Sequence, residues 1–187
     1  MIIPASVSDE PKAKERLKEM MLYVAGLCMN DSTFGATKLS KILYFADTLS
    51  YARHGEPITG AKYKSMPNGP VPISLLDLKD EMVHSDEMAV RRERVMNYER
   101  HRYLPLREAN LDNFSGREIA IINEVKRLLI GYTATQVSDL SHGIAWRVYK
   151  GADFIPMEAV FLSDEGITEA DAGRAQELIS QHGWYDV

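Results

Sequence analysis

The chain has 187 residues, 45% hydrophobic and 26% charged, with a formal net charge of −5. These values exclude a disordered chain and argue against wholesale wrapping of nucleic acid, which demands surplus positive charge. The longest near-apolar run, Met20 to Met29, is about half the roughly 20 residues a membrane span requires, which argues against a membrane partner.

Length predicts one domain spanning residues 1–187. The lone cysteine, Cys28, has no internal disulfide partner. It sits among Val24, Leu27 and Met29 and reads as a small buried hydrophobe, in keeping with a reducing compartment. Met1-Ile2-Ile3-Pro4 lacks the basic and long apolar regions of a signal peptide, so a cytoplasmic location is expected.

Residues 1–8 read as a loose arm. A first helix follows, capped by Ser8 or Asp9 with Pro11 in its opening turn and ended by Asn30-Asp31-Ser32. Its stripe is Leu17, Met20, Met21, Val24, Leu27 and Cys28. A second helix spans about 37–53, with Leu39, Ile42, Leu43, Ala46 and Leu49 on one face and Gly55, Pro57 and Gly60 as its stop. Tyr63 to Met66 is a short strand, and Pro67-Asn68-Gly69-Pro70 a turn into a third helix bearing Leu75, Leu78 and Met82. Pro70 or Pro72 suits that helix's first turn.

Residues 88–107 carry strand formers (Val90, Val95, Tyr98, Tyr103 and Leu104) on either side of Asn97, which predicts a β-hairpin. Ser115 with Glu118, and Thr133 with Gln136, form capping boxes that open two further helices. The first carries Ile121, Ile122, Val125, Leu128 and Leu129 and closes at Gly131; the second runs through Leu140 and His142 toward Trp146. Pro156 starts a short apolar segment to Leu162, and Thr168 with Asp171 opens a last helix through Leu178 and Ile179. The predicted class is α+β, mainly α: a helical bundle with a small antiparallel β-sheet.

No phosphate-binding glycine loop and no nucleophile elbow is present. The five histidines share no metal-ligand spacing with one another or with Cys28. No catalytic residue, metal ligand or cofactor is assigned.

Four constellations stand out. On the second helix Lys41, Tyr44, Thr48 and Tyr51 fall together, off the aliphatic stripe. They form either a second buried side or an interface, and burial separates the two readings. The loop Met66-Pro67-Asn68-Gly69-Pro70-Val71-Pro72 is stiff, and either sets strand against helix or pre-organises a binding edge. His142 and Trp146, four residues apart, stack on one face if the helix continues past Gly143, as packing or as a contact surface. The hairpin gathers six arginines, Arg92 and Arg94 among them, against Glu93 and Glu99. It is either a solvated strand face or a surface that recognises acidic protein or nucleic acid.

The run Lys38-Leu-Ser-Lys-Ile-Leu-Tyr-Phe-Ala-Asp47 and then His54-Gly-Glu-Pro-Ile-Thr-Gly60 resemble the signature of the Panacea domain, the SocA-like antitoxin or GepA-type phage-associated family. The similarity continues through Tyr63, the Asn68-Gly-Pro-Val-Pro72 turn and Leu140-Ser-His-Gly-Ile-Ala-Trp146. It spans about residues 15–150, leaving a helical extension over 151–187.

The resemblance implies an antitoxin that binds a cognate toxin encoded next door, without enzymatic turnover. A SocA-type branch instead delivers its toxin to a cytosolic protease as an adaptor. A phage-associated nucleic-acid regulator is a further alternative, with the arginine hairpin as its surface. By position, Lys38, Lys41, Tyr44 and Asp47 fill the polar slots of the family helix. Tyr63, Gly69 and Pro70 fill the strand-and-turn slots, and His142 and Trp146 the later pair. Asn68, Tyr51, Arg92 and Arg94 complete the candidate partner-binding set. Many relatives carry an N-terminal DNA-binding module; about ten residues precede the first helix here, so autoregulation of the operon is not expected.

Overall fold

The computed structural model describes residues 10–95, 98–163, and then 173, 174, 176, 177 and 180. Ser8, Asp9, Asn97, Thr168, Asp171, Leu178 and Ile179, named above as caps, turn or helix positions, lie outside the described residues.

Helix α1 (Glu10–Leu27) buries Leu17, Met20, Met21 and Val24, as its 3.6-residue period dictates. It ends before Asn30, and Cys28 is buried just beyond it. Helix α2 (Ala36–His54) runs through the middle, against α1 and most later elements. Gly55 ends it in the left-handed region at φ +77°, its N–H donating to Tyr51 O.

Strand β1 (Tyr63–Met66) pairs antiparallel with a strand the sequence reading took for the start of a helix: β2 (Gly69–Pro72). Its two prolines are tolerated because of register. The closing pair Met66/Gly69 leaves Ser65/Pro70 and Tyr63/Pro72 at alternate positions, where no ladder N–H is needed. Accordingly Ile73 N donates to Lys62 O, while Tyr63 O turns outward and accepts from Ile155 N at 2.7 Å. Helix α3 (Leu75–His84) therefore starts later than Pro70 or Pro72, and buries Leu75, Leu78 and Met82.

β3 (Met88–Val95) and β4 (Tyr98–Pro105) form the predicted hairpin. Among the described residues the small antiparallel sheet component consists of two separate two-stranded sheets. Helix α4 (Gly116–Leu128) opens on the Ser115/Glu118 capping box, and α5 (Ala134–Leu140) on the Thr133/Gln136 box. The predicted continuous helix to Trp146 is broken: α5 stops at Leu140 and α6 (Ile144–Val148) begins after Gly143. A 3-10 turn covers Met157–Phe161.

One core joins α1 to α5 and both sheets; a small satellite of Ala145, Ile155 and Ala159 lies under α6. The class is α+β, mainly α, as predicted. No helix among the described residues is long and apolar enough to cross a membrane.

Candidate partner-binding site

Most polar residues of α2 face inward. Lys38, Lys41, Tyr44, Asp47 and Thr48 are all buried, and of the predicted second side Tyr51 alone is partly exposed. The helix is therefore buried on two sides. Three of them, Lys38, Asp47 and Lys41, hold distant segments in place, while Thr48 bonds within the helix.

Lys38 Nζ donates to Asp31 Oδ2 (2.7 Å), Thr33 Oγ1 (2.9 Å) and Tyr132 O (2.9 Å), joining the α1–α2 loop to the α4–α5 loop. Asp47 accepts from Thr59 N (2.8 Å), Thr59 Oγ1 (2.5 Å) and Tyr63 OH (2.7 Å). Burial pushes its carboxyl above the usual carboxylate range, against the pull of these donors. Tyr63, itself fully buried, meets Tyr44 edge-on at 5.3 Å between centroids.

The β1–β2 turn is held from behind through its main chain. Lys41 Nζ donates to Pro70 O (2.8 Å), Ser138 Oγ to Asn68 O (2.9 Å) and Trp146 Nε1 to Met66 O (2.8 Å). Ser65 Oγ returns a bond to Trp146 O at 3.0 Å. Gly69 sits at φ +92°, where a Cβ would overlap Ser141 Oγ and come within 2.8 Å of Lys41 Cε. Burial without a nearby carboxylate lowers the Lys41 amine to about 7. In front of this lock, the side chains of Met66, Pro67 and Asn68 are exposed.

His142 and Trp146 stack at 4.0 Å between centroids and 23° between planes, although no single helix carries both. The turn at Gly143 places them together. His142 Nε2 is buried without a hydrogen-bond partner. Tyr51 packs on Phe161 at 6.0 Å.

The arginine hairpin is mostly engaged with its own protein. Arg102 donates to the carbonyls of Asp31 (3.1 Å), Cys28 (3.4 Å) and Met29, which lie at and just beyond the end of α1. Arg107 pairs with Glu19 and Glu87, Arg100 with Glu93 and Ser32 O, and Arg91 with Glu93. Arg92, 3.8 Å from Glu99, and Arg94 remain exposed. Of the six arginines read from the sequence, Arg91, held by Glu93, is exposed beside these two, and the others are at least half-buried or paired.

Lys41, Gly69, Pro70, Asn68 and Trp146 are brought to one turn, while Asp47, Tyr44 and Tyr63 lie beneath it. Arg92 and Arg94 belong to the other sheet. Sequence reasoning missed Thr59, Ser65, Ser138 and Ser141 as supports. Thr59, inside the quoted His54–Gly60 run, and Ser141, inside the Leu140–Trp146 run, carried a signal; Ser65 and Ser138 carried none. Among the described residues no cluster of His, Cys, Asp or Glu has metal-binding geometry.

The family model described as antitoxin SocA-like, Panacea domain, matches residues 39–147. Neither a curated protein nor a solved structure matches the chain. The matched stretch covers more than half of the chain and includes α2 from Leu39 onward, both sheets and the Trp146 contact. The chain belongs to the SocA-like antitoxin family with a Panacea domain.

Proposed function

We propose that this protein is the antitoxin of a toxin–antitoxin pair and neutralises the product of a neighbouring gene by direct binding, with the Met66–Pro67–Asn68 tip as a contact element. Family membership supports a toxin partner in general. The observation that carries the choice of surface is the main-chain lock. Three successive anchors, from Lys41, Ser138 and Trp146, hold the turn while its side chains face outward. A loop already fixed in one shape loses little conformational freedom on association, which favours tight binding. Neutralisation at nanomolar affinity requires about −12 kcal/mol.

The buried residues Lys38, Lys41, Tyr44, Asp47 and Tyr63 act in this reading by shaping the scaffold. The contact set narrows to Asn68, its neighbours Met66 and Pro67, the rim of Trp146 and His142, and the exposed Arg92 and Arg94. The self-engagement of most hairpin arginines weighs against a nucleic-acid surface. The test is expression of the adjoining reading frame alone and together with this chain. Growth arrest relieved by co-expression, with a stable complex recovered, supports neutralisation by masking. Relief accompanied by disappearance of the toxin selects the protease adaptor. A harmless neighbour that never associates overturns the antitoxin reading.

A further inference from the structure

Away from the turn, a groove of about 370 Å³ runs between α2, α4, α5 and the 3-10 turn. Phe45 and Leu49 form one wall, Leu128, Leu140 and Val160 the others. Leu128 and Leu140 are 61% and 54% exposed, large values for leucines that share one surface. Thr48, the polar residue on the lining, spends its hydroxyl inside α2, donating to Tyr44 O and Phe45 O.

Two features restrict what can enter. Among the described lining residues Thr48 is the one polar side chain, so the walls offer an incoming backbone little to pair with, and an extended peptide would bury unpaired N–H and C=O groups, at a few kcal/mol each. A helix satisfies its own backbone and presents only side chains. The α2/α4 rim, in addition, has surplus positive charge. Arg53 grips Glu124 with two bonds of 2.6 and 2.8 Å, and Arg127, exposed on α4, acts on the same carboxylate. Two cations share one anion there, which complements an acidic group on the entrant and repels a basic one.

We propose that this groove takes an amphipathic helix of the toxin, with aliphatic residues at helical spacing laid on Leu49, Leu128 and Leu140 and a carboxylate beside Arg127. The proposal rests on the antitoxin reading above and supplies the chemistry of the partner surface.

The probe is the product of the adjoining reading frame, titrated against the full chain and against the Leu128→Glu, Leu140→Glu and Arg127→Glu variants. The leucines are exposed, so the variants should fold; thermal unfolding checks this. In parallel, a photo-crosslinking residue at position 128 maps what lies on the groove in the complex. The expected result is at least a hundredfold loss of affinity for either leucine variant. Arg127→Glu should lose about tenfold, with a flatter salt dependence. Crosslinks should fall on a toxin segment with apolar residues three and four apart. Wild-type binding with leucine variants within twofold of it overturns the groove proposal alone. So does a crosslink to a second copy or to residues 164–187 of the same chain. Failure of the wild-type chain to bind or rescue overturns the antitoxin reading and this proposal with it.

Discussion

Lys41, in the middle of α2, donates from Nζ to Pro70 O at 2.8 Å, and among the described residues that carbonyl is its one hydrogen-bond partner. A fully buried amine with a neutral acceptor and no counter-ion is unusual, because burial of the charged form is costly. Its proton equilibrium is accordingly tied to the β1–β2 turn it supports.

That tie predicts a pH dependence. The amine titrates near 7 when folded and near its ordinary 10.5 when unfolded. Between those values the unfolded chain binds more protons, so stability falls as pH is lowered from 10.5 toward 7 and levels off below. The slope from this group approaches about 1.4 kcal/mol per pH unit. Urea unfolding of wild type and Lys41→Met between pH 7 and 9.5 should show that slope in the first and its loss in the second.

Glu87 acts in the opposite range. Burial raises its carboxyl, but Lys18 at 2.8 Å, Arg107 and Ser85 outweigh this and hold it down at about 2. Its contribution is present above pH 4.5 and is lost as pH falls toward 2. Glu87→Gln should flatten the acid limb of the stability profile, read as a thermal midpoint that changes less between pH 5 and 3.

Gly69→Ala should destabilise by about 3 kcal/mol or more, combining left-handed backbone strain with overlap on Ser141 Oγ. Gly131, at φ +83° with open space around it, is the control; Gly131→Ala should cost about 1 kcal/mol. Equal losses in denaturant titrations would show that close approach at Gly69 contributes nothing.

Asp47→Asn keeps the shape of the side chain but sets an NH₂ against donors from Thr59 and Tyr63. The expected loss is about 2–3 kcal/mol. Adding Tyr63→Phe removes one conflicting donor, so the double variant should be more stable than the sum of the single losses. A strictly additive cycle would contradict a direct contact.

Arg102→Ala should cost about 2–3 kcal/mol, because it exposes no charge defect but orphans carbonyls of Cys28, Met29 and Asp31 in a part-buried position. Arg94→Ala, on the exposed part of the same hairpin, should stay within about 0.5 kcal/mol. Thermal unfolding of the two side by side separates the structural arginine from the exposed one.

Much of the secondary structure was legible in the residues because its causes are local. The capping boxes at Ser115 and Thr133, the stripe of α1 and the β3–β4 hairpin each depend on neighbours within a few positions. β2 was not legible: Gly-Pro-Val-Pro looks like a turn and a helix start until Tyr63–Met66 lies beside it in a register that excuses both prolines. The break at Gly143 escaped for a related reason. The stack of His142 on Trp146 survives it, and spacing alone cannot tell one helix from two.

The sequence by itself determined the class of the fold, the family and the set of polar residues that matter, since helical period, capping chemistry and the Lys38–Asp47 run are written within short windows. Only the tertiary structure decided which of those residues face a partner. Lys41, Asp47 and Tyr63 looked like candidates for contact, yet their partners are Pro70, Thr59 and one another, brought together from segments up to 29 positions apart. Burial is a property of the packed whole, so no local pattern could separate an inward hydroxyl or amine from an outward one, and the exposed tip at Met66–Asn68 became visible only once everything behind it was seen to be engaged.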